Sequence, residues 1–235
     1  MKLAFVALTF ALFGAGQVLA ADLPLPGPPP GARYFPAAQY NWGGGYFGLN
    51  GGYAFGSSDW TLKGVSTGSF QTNGFLFGGT LGGNFQIGRF VLGLEADLDW
   101  AGLTGSSSVA ACGAIGVPAG ATCQTKSDWL STARGRVGYA LDRFLVYATG
   151  GLALTDLQLA TQAGSANDVI AGWTIGAGVE FAFADNWTIK AEYLFVDFGT
   201  TQCFFSQTIC ATAGFPSVSL SENIIRGGIN YKFYW

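Results

Sequence analysis

The sequence predicts an all-β fold, an eight-stranded antiparallel up-and-down transmembrane β-barrel, and three observations carry that prediction. Apolar and polar residues alternate with period two through eight segments. Charged residues make up 11% of the 235, against roughly a quarter in an ordinary soluble domain. The connections between the segments are alternately long and tight, which puts every long loop on one side. Glycine at 37 positions argues against helices as the alternative.

Residues 1–20 read as a signal peptide, with Lys2 as the only charge, an apolar run from Leu3 to Phe13 and a small-residue exit ending at Ala20. That run is about half of what a spanning helix needs. Residues 21–41 read as a Pro-rich periplasmic linker: Pro24, Pro26, Pro28, Pro29, Pro30 and Pro36 favour extended polyproline II. Residues 42–235 are assigned to the barrel.

The first strand, 46–55, places Phe47, Leu49, Tyr53 and Phe55 on one parity and Tyr46, Gly48 and Asn50 on the other. The same division runs through 73–87, 90–100, 128–139, 169–183, 187–196 and 221–235. In 144–155, Leu145, Val146, Tyr147, Leu152 and Leu154 straddle both parities, so its facing stays open. Asp197 falls on the apolar parity of its strand; either the chain has left the hydrocarbon there or a bulge shifts the register. Long loops are expected at 56–72, 101–127, 156–168 and 197–220, and tight turns at Ile87-Gly88-Arg89, Leu141-Asp142-Arg143 and Ala184-Asp185-Asn186.

A water-soluble barrel also alternates, so the placement of charge decides. The polar faces carry Asp128 and eleven further residues expected to form an ion-pair network in the lumen: Glu95, Asp97, Asp99, Arg134, Arg136, Glu180, Lys190, Glu192, Glu222, Arg226 and Lys232. A wet exterior needs many more charges, whereas a narrow lumen needs few and needs them compensated. Trp100, Trp129, Tyr139, Trp187 and Trp235 fall at strand ends, where aromatic girdles form.

A formal net charge of -3 leaves no basic surface for nucleic acid. With no histidine, and Met1 as the only methionine, metal, haem and acid–base chemistry lose their usual residues. No catalytic, cofactor-binding or metal-ligating residues are therefore assigned. Gly43-Gly44-Gly45-Tyr46-Phe47-Gly48 matches a dinucleotide glycine pattern but opens a strand rather than a helix. Cys112 and Cys123 share one long loop, and Cys203 and Cys210 another. Two local disulfides are the simplest of three pairings.

The runs Tyr40-Asn41-Trp42 into 45–53, Arg134-Gly-Arg-Val-Gly-Tyr139, Ala191-Glu-Tyr-Leu-Phe-Val-Asp-Phe-Gly199 and Arg226-Gly-Gly-Ile-Asn-Tyr-Lys-Phe233 resemble the small outer-membrane barrels of alphaproteobacteria, the surface-antigen, opacity-type porin family. The resemblance covers about 42–235. It implies a Gram-negative outer-membrane location, lipid as the surrounding partner, and insertion by the barrel assembly machinery, which reads an aromatic final strand. Tyr231, Phe233 and Trp235 supply that pattern.

An eight-stranded barrel has an interior just wide enough for side chains. The expected role is accordingly non-enzymatic, structural or surface-interacting, with a lumen mostly filled by side chains. The alternative is a small diffusion porin, supported by the lumen glycines. Haemin binding, which the resemblance attaches to some relatives, ranks lower, because an iron ligand here would have to be Tyr or Cys. Oligomeric state is not written in the sequence.

Overall fold

A computed structural model describes residues 39–62, 64–108, 123–161, 164–202 and 217–233. The predicted signal peptide, most of the linker, Cys112, Cys203, Cys210 and Trp235 lie outside the described residues. The strands are β1 (Gly44–Leu62), β2 (Val65–Ser66), β3 (Phe70–Ile87), β4 (Phe90–Ser106), β5 (Gln124–Leu141), β6 (Phe144–Thr161), β7 (Gly164–Ala182), β8 (Trp187–Gln202) and β9 (Ser217–Phe233). Each of the eight long strands pairs antiparallel with its sequence neighbour, and β1 pairs with β9 from Gly45↔Phe233 to Thr61↔Ser217, which closes the sheet. The result is an eight-stranded up-and-down barrel. The two-residue β2 is an addition on the rim of β1.

Outward side chains form an apolar band, with Phe75 at 77% and Leu94 at 74% exposure. An apolar surface of that extent is stable only against lipid. Aromatic contacts edge it at both margins. At the tight-turn margin these are Phe47 with Tyr231 and Phe233, Phe90 with Tyr139, Phe144 with Phe181, and Trp187 with Tyr231. Tyr53 with Phe75 and Trp173 with Phe195 mark the long-loop margin.

The long strands run 16 to 19 residues, well beyond the roughly ten that cross a bilayer. Much of what the sequence assigns to loops is strand. Residues 156–168, expected as a long loop, pair continuously from Asp156↔Val169 to Thr161↔Gly164. The reason is a reversal of polarity along each strand. Beyond the band, outward positions turn polar (Ser57, Asp59, Gln71, Asn73, Asp156, Gln158, Ser219, Ser221, Asn223), while inward ones turn apolar (Trp60, Leu103, Leu157, Leu159, Val218, Leu220). The pleat continues, but its two faces exchange character, so the alternation looks broken when read for one polarity.

Strand β6 resolves the open facing of 144–155. Leu145, Tyr147, Thr149, Ala153 and Thr155 point inward, and Phe144, Val146, Leu152 and Leu154 point outward. Both parities carry apolar residues because this strand lines the lumen with them too. Asp197 keeps its outward parity, and the irregularity lies just beyond it, between Asp197 and Thr200, where Gly199 has a φ of 62° and donates its N–H to the Asp197 carboxylate at 2.6 Å. Asp128 departs from the expected lumen facing and is exposed. A bulge between Lys126 and Leu130 turns it out, and Asp156 Oδ1 accepts the N–H groups of Asp128 and Trp129 at 2.8 and 3.0 Å. Those are the donors that a bulge strips from the ladder.

Candidate functional site

Among the described residues the lumen is where the fold gathers chemistry-bearing side chains, and strand register is what gathers them. Glu95 lies directly opposite Arg134, Glu192 opposite Arg226, and Glu180 opposite Lys190, three acid–base pairs on neighbouring strands. The bonds then reach across the barrel. Arg134 bonds its register partner Glu95, Asp97 at 2.6 Å and, on the far wall, Glu192 at 3.0 Å. Arg226 bonds Asp97 at 2.9 Å, Asp99 at 3.0 Å and Glu192 at 2.7 Å. Lys190 reaches Glu95 at 3.0 Å, and Arg136 reaches Glu180 at 2.7 Å.

Nine of the eleven sequence-predicted residues thus meet in one buried cluster: Glu95, Asp97, Asp99, Arg134, Arg136, Glu180, Lys190, Glu192 and Arg226. Two sit at other heights in the barrel. Lys232 sits at the tight-turn end, where it donates to the Asn41 carbonyl at 2.6 Å, and its ammonium lies over the rings of Tyr40 and Trp42. Glu222 stands toward the long-loop end; among the described residues it forms no ion pair, and its Oε2 is buried without a hydrogen-bond partner. Both stand off the level of Arg226 because of height along β9, although Lys232 still lies within electrostatic reach of Glu180 and Arg136.

Two tyrosines complete the cluster. Tyr46 donates to Glu95 at 2.8 Å and accepts from Arg136 at 3.0 Å, while Tyr147 donates to Glu192 at 3.1 Å and places its ring 4.1 Å from the Arg136 guanidinium. Glycine makes these placements possible: a Cβ on Gly82 would stand 2.3 Å from Tyr46 Cζ, and one on Gly178 would stand 2.5 Å from the Tyr147 hydroxyl. The inward glycines at these points are sockets for neighbouring side chains, not open bore.

Apolar layers close the lumen on either side of the charges. Toward the tight turns, Tyr40, Trp42, Val91, Ala140, Leu145, Tyr147 and Ala182 pack together. Trp42 is fully buried; its indole N–H donates to the Asp142 carbonyl at 2.9 Å and its backbone N–H to Gln86 Oε1 at 2.6 Å. Tyr40 donates its hydroxyl to the Asp185 carbonyl at 2.9 Å. Three hairpin turns therefore hold a plug made from the last residues before β1. The compact unit starts at Gln39, so Tyr40 and Asn41, assigned to the linker by composition, pack with the barrel. Composition could not reveal this, because two aromatic residues flanking Asn41 after a run of prolines have no periodicity to read.

Toward the long loops a larger cluster fills the bore, including Trp60, Leu76, Leu103, Leu130, Leu157, Leu194, Val196, Phe198 and Ile224. Cys123 lies within it and is disulfide-bonded. Several hydroxyl-bearing residues beside it satisfy one another or the indole above them: Ser127 with Thr155 at 2.6 Å, Ser58 with Thr125 at 3.2 Å, and Trp60 Nε1 donating to Thr125 at 3.1 Å. Among the described residues no group of three or more His, Cys, Asp or Glu is placed to hold a metal ion. What the arrangement does chemically is offset most of its own charge, five carboxylates against four cations, within a bore packed with side chains.

A sequence model of the outer membrane protein beta-barrel domain matches residues 9–233. The 31 kDa outer-membrane immunogenic protein of Brucella melitensis is 35% identical over 99% of this chain and 100% of its own length. The 25 kDa outer-membrane immunogenic protein of Brucella abortus is 30% identical over 93% and 92%. Among solved structures, the outer membrane protein OprG of Pseudomonas aeruginosa superposes with a TM-score of 0.52 at 15% identity, covering 82% of this chain and 98% of that one.

Proposed function

Because the chain belongs to the outer membrane protein beta-barrel domain family and lies in the outer membrane, we propose that it is a closed, non-enzymatic barrel whose work is structural and surface-directed. The observation that carries this reading is the filled bore. A fully buried ion-pair layer lies between two apolar layers, so an ion entering from either side meets a dehydrating barrier and then a cluster whose five carboxylates are already paired with four cations. No histidine exists to act as a base, and the lumen carboxylates are held in ion pairs or sealed among apolar side chains.

The tight turns face the periplasm and the polar extension faces outward, where it carries the long loops above the lipid. Display of this kind fits relatives whose names record that they are immunogenic. Planar-bilayer recording tests the reading. The refolded mature chain should insert without producing channel steps, and stable, reproducible steps would replace this reading with that of a diffusion pore.

A further inference from the structure

Glu222 contradicts its surroundings. It lies beyond the lipid-facing part of β9, since the outward residues beside it are Ser221 and Asn223 and the apolar band begins at Ile225. Inside the barrel it is the one ionisable residue buried in the extension among the described residues. A Cβ on Gly56 would stand 3.0 Å from its Cγ, so the side chain lies over β1. On the other side of Gly56, Thr72 Oγ1 is also buried without a hydrogen-bond partner.

Among the described residues no cation answers it. From β1 the inward residues at its level are Gly56 and Ser58, and from β8 they are Val196 and Phe198. Asp59 and Asp197, on those same strands, point outward. Arg226, four residues along on the same face of β9, is committed to Asp97, Asp99 and Glu192. Burial alone pushes the Glu222 carboxyl up, to about 7. The neutral acid can stay in an apolar layer, whereas the carboxylate draws in water or breaks the packing.

We propose that Glu222 is a proton-operated latch of the outer plug: protonated, it lets the apolar layer close, and ionised, it loosens that layer. External acidity thereby sets how tightly the loop-bearing extension is packed. The latch rests on the closed-lumen reading.

A raised folded-state value means that the native chain binds the extra proton. The contribution is therefore complete below the unfolded carboxyl value and is lost as pH rises through the folded one. The test is the urea midpoint of the refolded chain in detergent, followed by tryptophan fluorescence from about pH 4 to about pH 8, for wild type and Glu222→Gln. Measured against Glu222→Gln, the wild-type midpoint should fall as pH rises to about 7 and then level off. Amide protection in β1 and β9 around Gly56 and Glu222 should fall with it in wild type alone. Parallel pH profiles for the two proteins would overturn the latch; Glu222→Leu, which also cannot ionise, supplies the same comparison if the Gln variant does not refold. Channel steps in Glu222→Gln at acid pH would instead strike the closed-lumen reading beneath it.

Discussion

The lipid-embedded half of the barrel and its outward extension use the same eight strands with opposite polarity. In the embedded half, Leu81, Leu94 and Leu98 face out while Glu95, Asp97 and Arg134 face in. In the extension, Gln71, Asp156 and Ser219 face out while Trp60, Leu157 and Val218 face in. Backbone pairing is continuous through both, so hydrogen bonding does not tell them apart. The difference is the solvent on the outer surface: lipid places apolar side chains outside and leaves the polar ones to pair within, and water reverses the assignment. The embedded half is then held by charge compensation, and the extension by packing.

The largest expected effect strikes the embedded interior. Replacing Arg226 with Met leaves Asp97, Asp99 and Glu192 short of a shared cation, and breaking a buried pair on one side costs about 3–5 kcal/mol. The urea midpoint in detergent should drop accordingly, or the variant should fail to refold. Next comes a contrast on the outer surface of a single strand. Leu81→Arg, in the apolar band of β3, should cost about 2–4 kcal/mol, by the depth dependence of cations facing lipid. Gln71→Arg, ten residues before it on the same outward parity, should change stability by less than about 0.5 kcal/mol. Equal effects at the two positions would break the comparison. The smallest effect belongs to the plug at the tight-turn end. Trp42→Phe keeps an aromatic ring but removes the bond to the Asp142 carbonyl, and should cost about 1 kcal/mol by the same midpoint measurement.

Much of the embedded half was legible because its chemistry is periodic. Outward Phe75, Phe77, Leu81 and Phe85 recur at even spacing, and Glu95, Asp97, Asp99, Arg134 and Arg136 follow the same period on the inner face. The extension was read as loop because its inner residues took the parity that had been polar a few positions earlier. Asp128 was misplaced because one bulge shifts every facing beyond it. Tyr147 was not seen as a partner of Glu192 because β6 carries apolar residues on both sides.

By itself the sequence determined that this chain is a closed barrel of eight strands, which face meets lipid, and that the charges in its interior are few and of both signs. Those follow from local periodicity and composition, which act residue by residue. Only the tertiary structure decided that Arg226 donates hydrogen bonds to three carboxylates from β4 and β8, that Tyr40 and Trp42 pack into the tight-turn end of the bore, and that Glu222 has no cation partner among the described residues. These depend on closing the sheet. Which inward side chains meet across the bore is set by strand tilt, stagger and bulges, and none of those is written in the order of residues along a single strand.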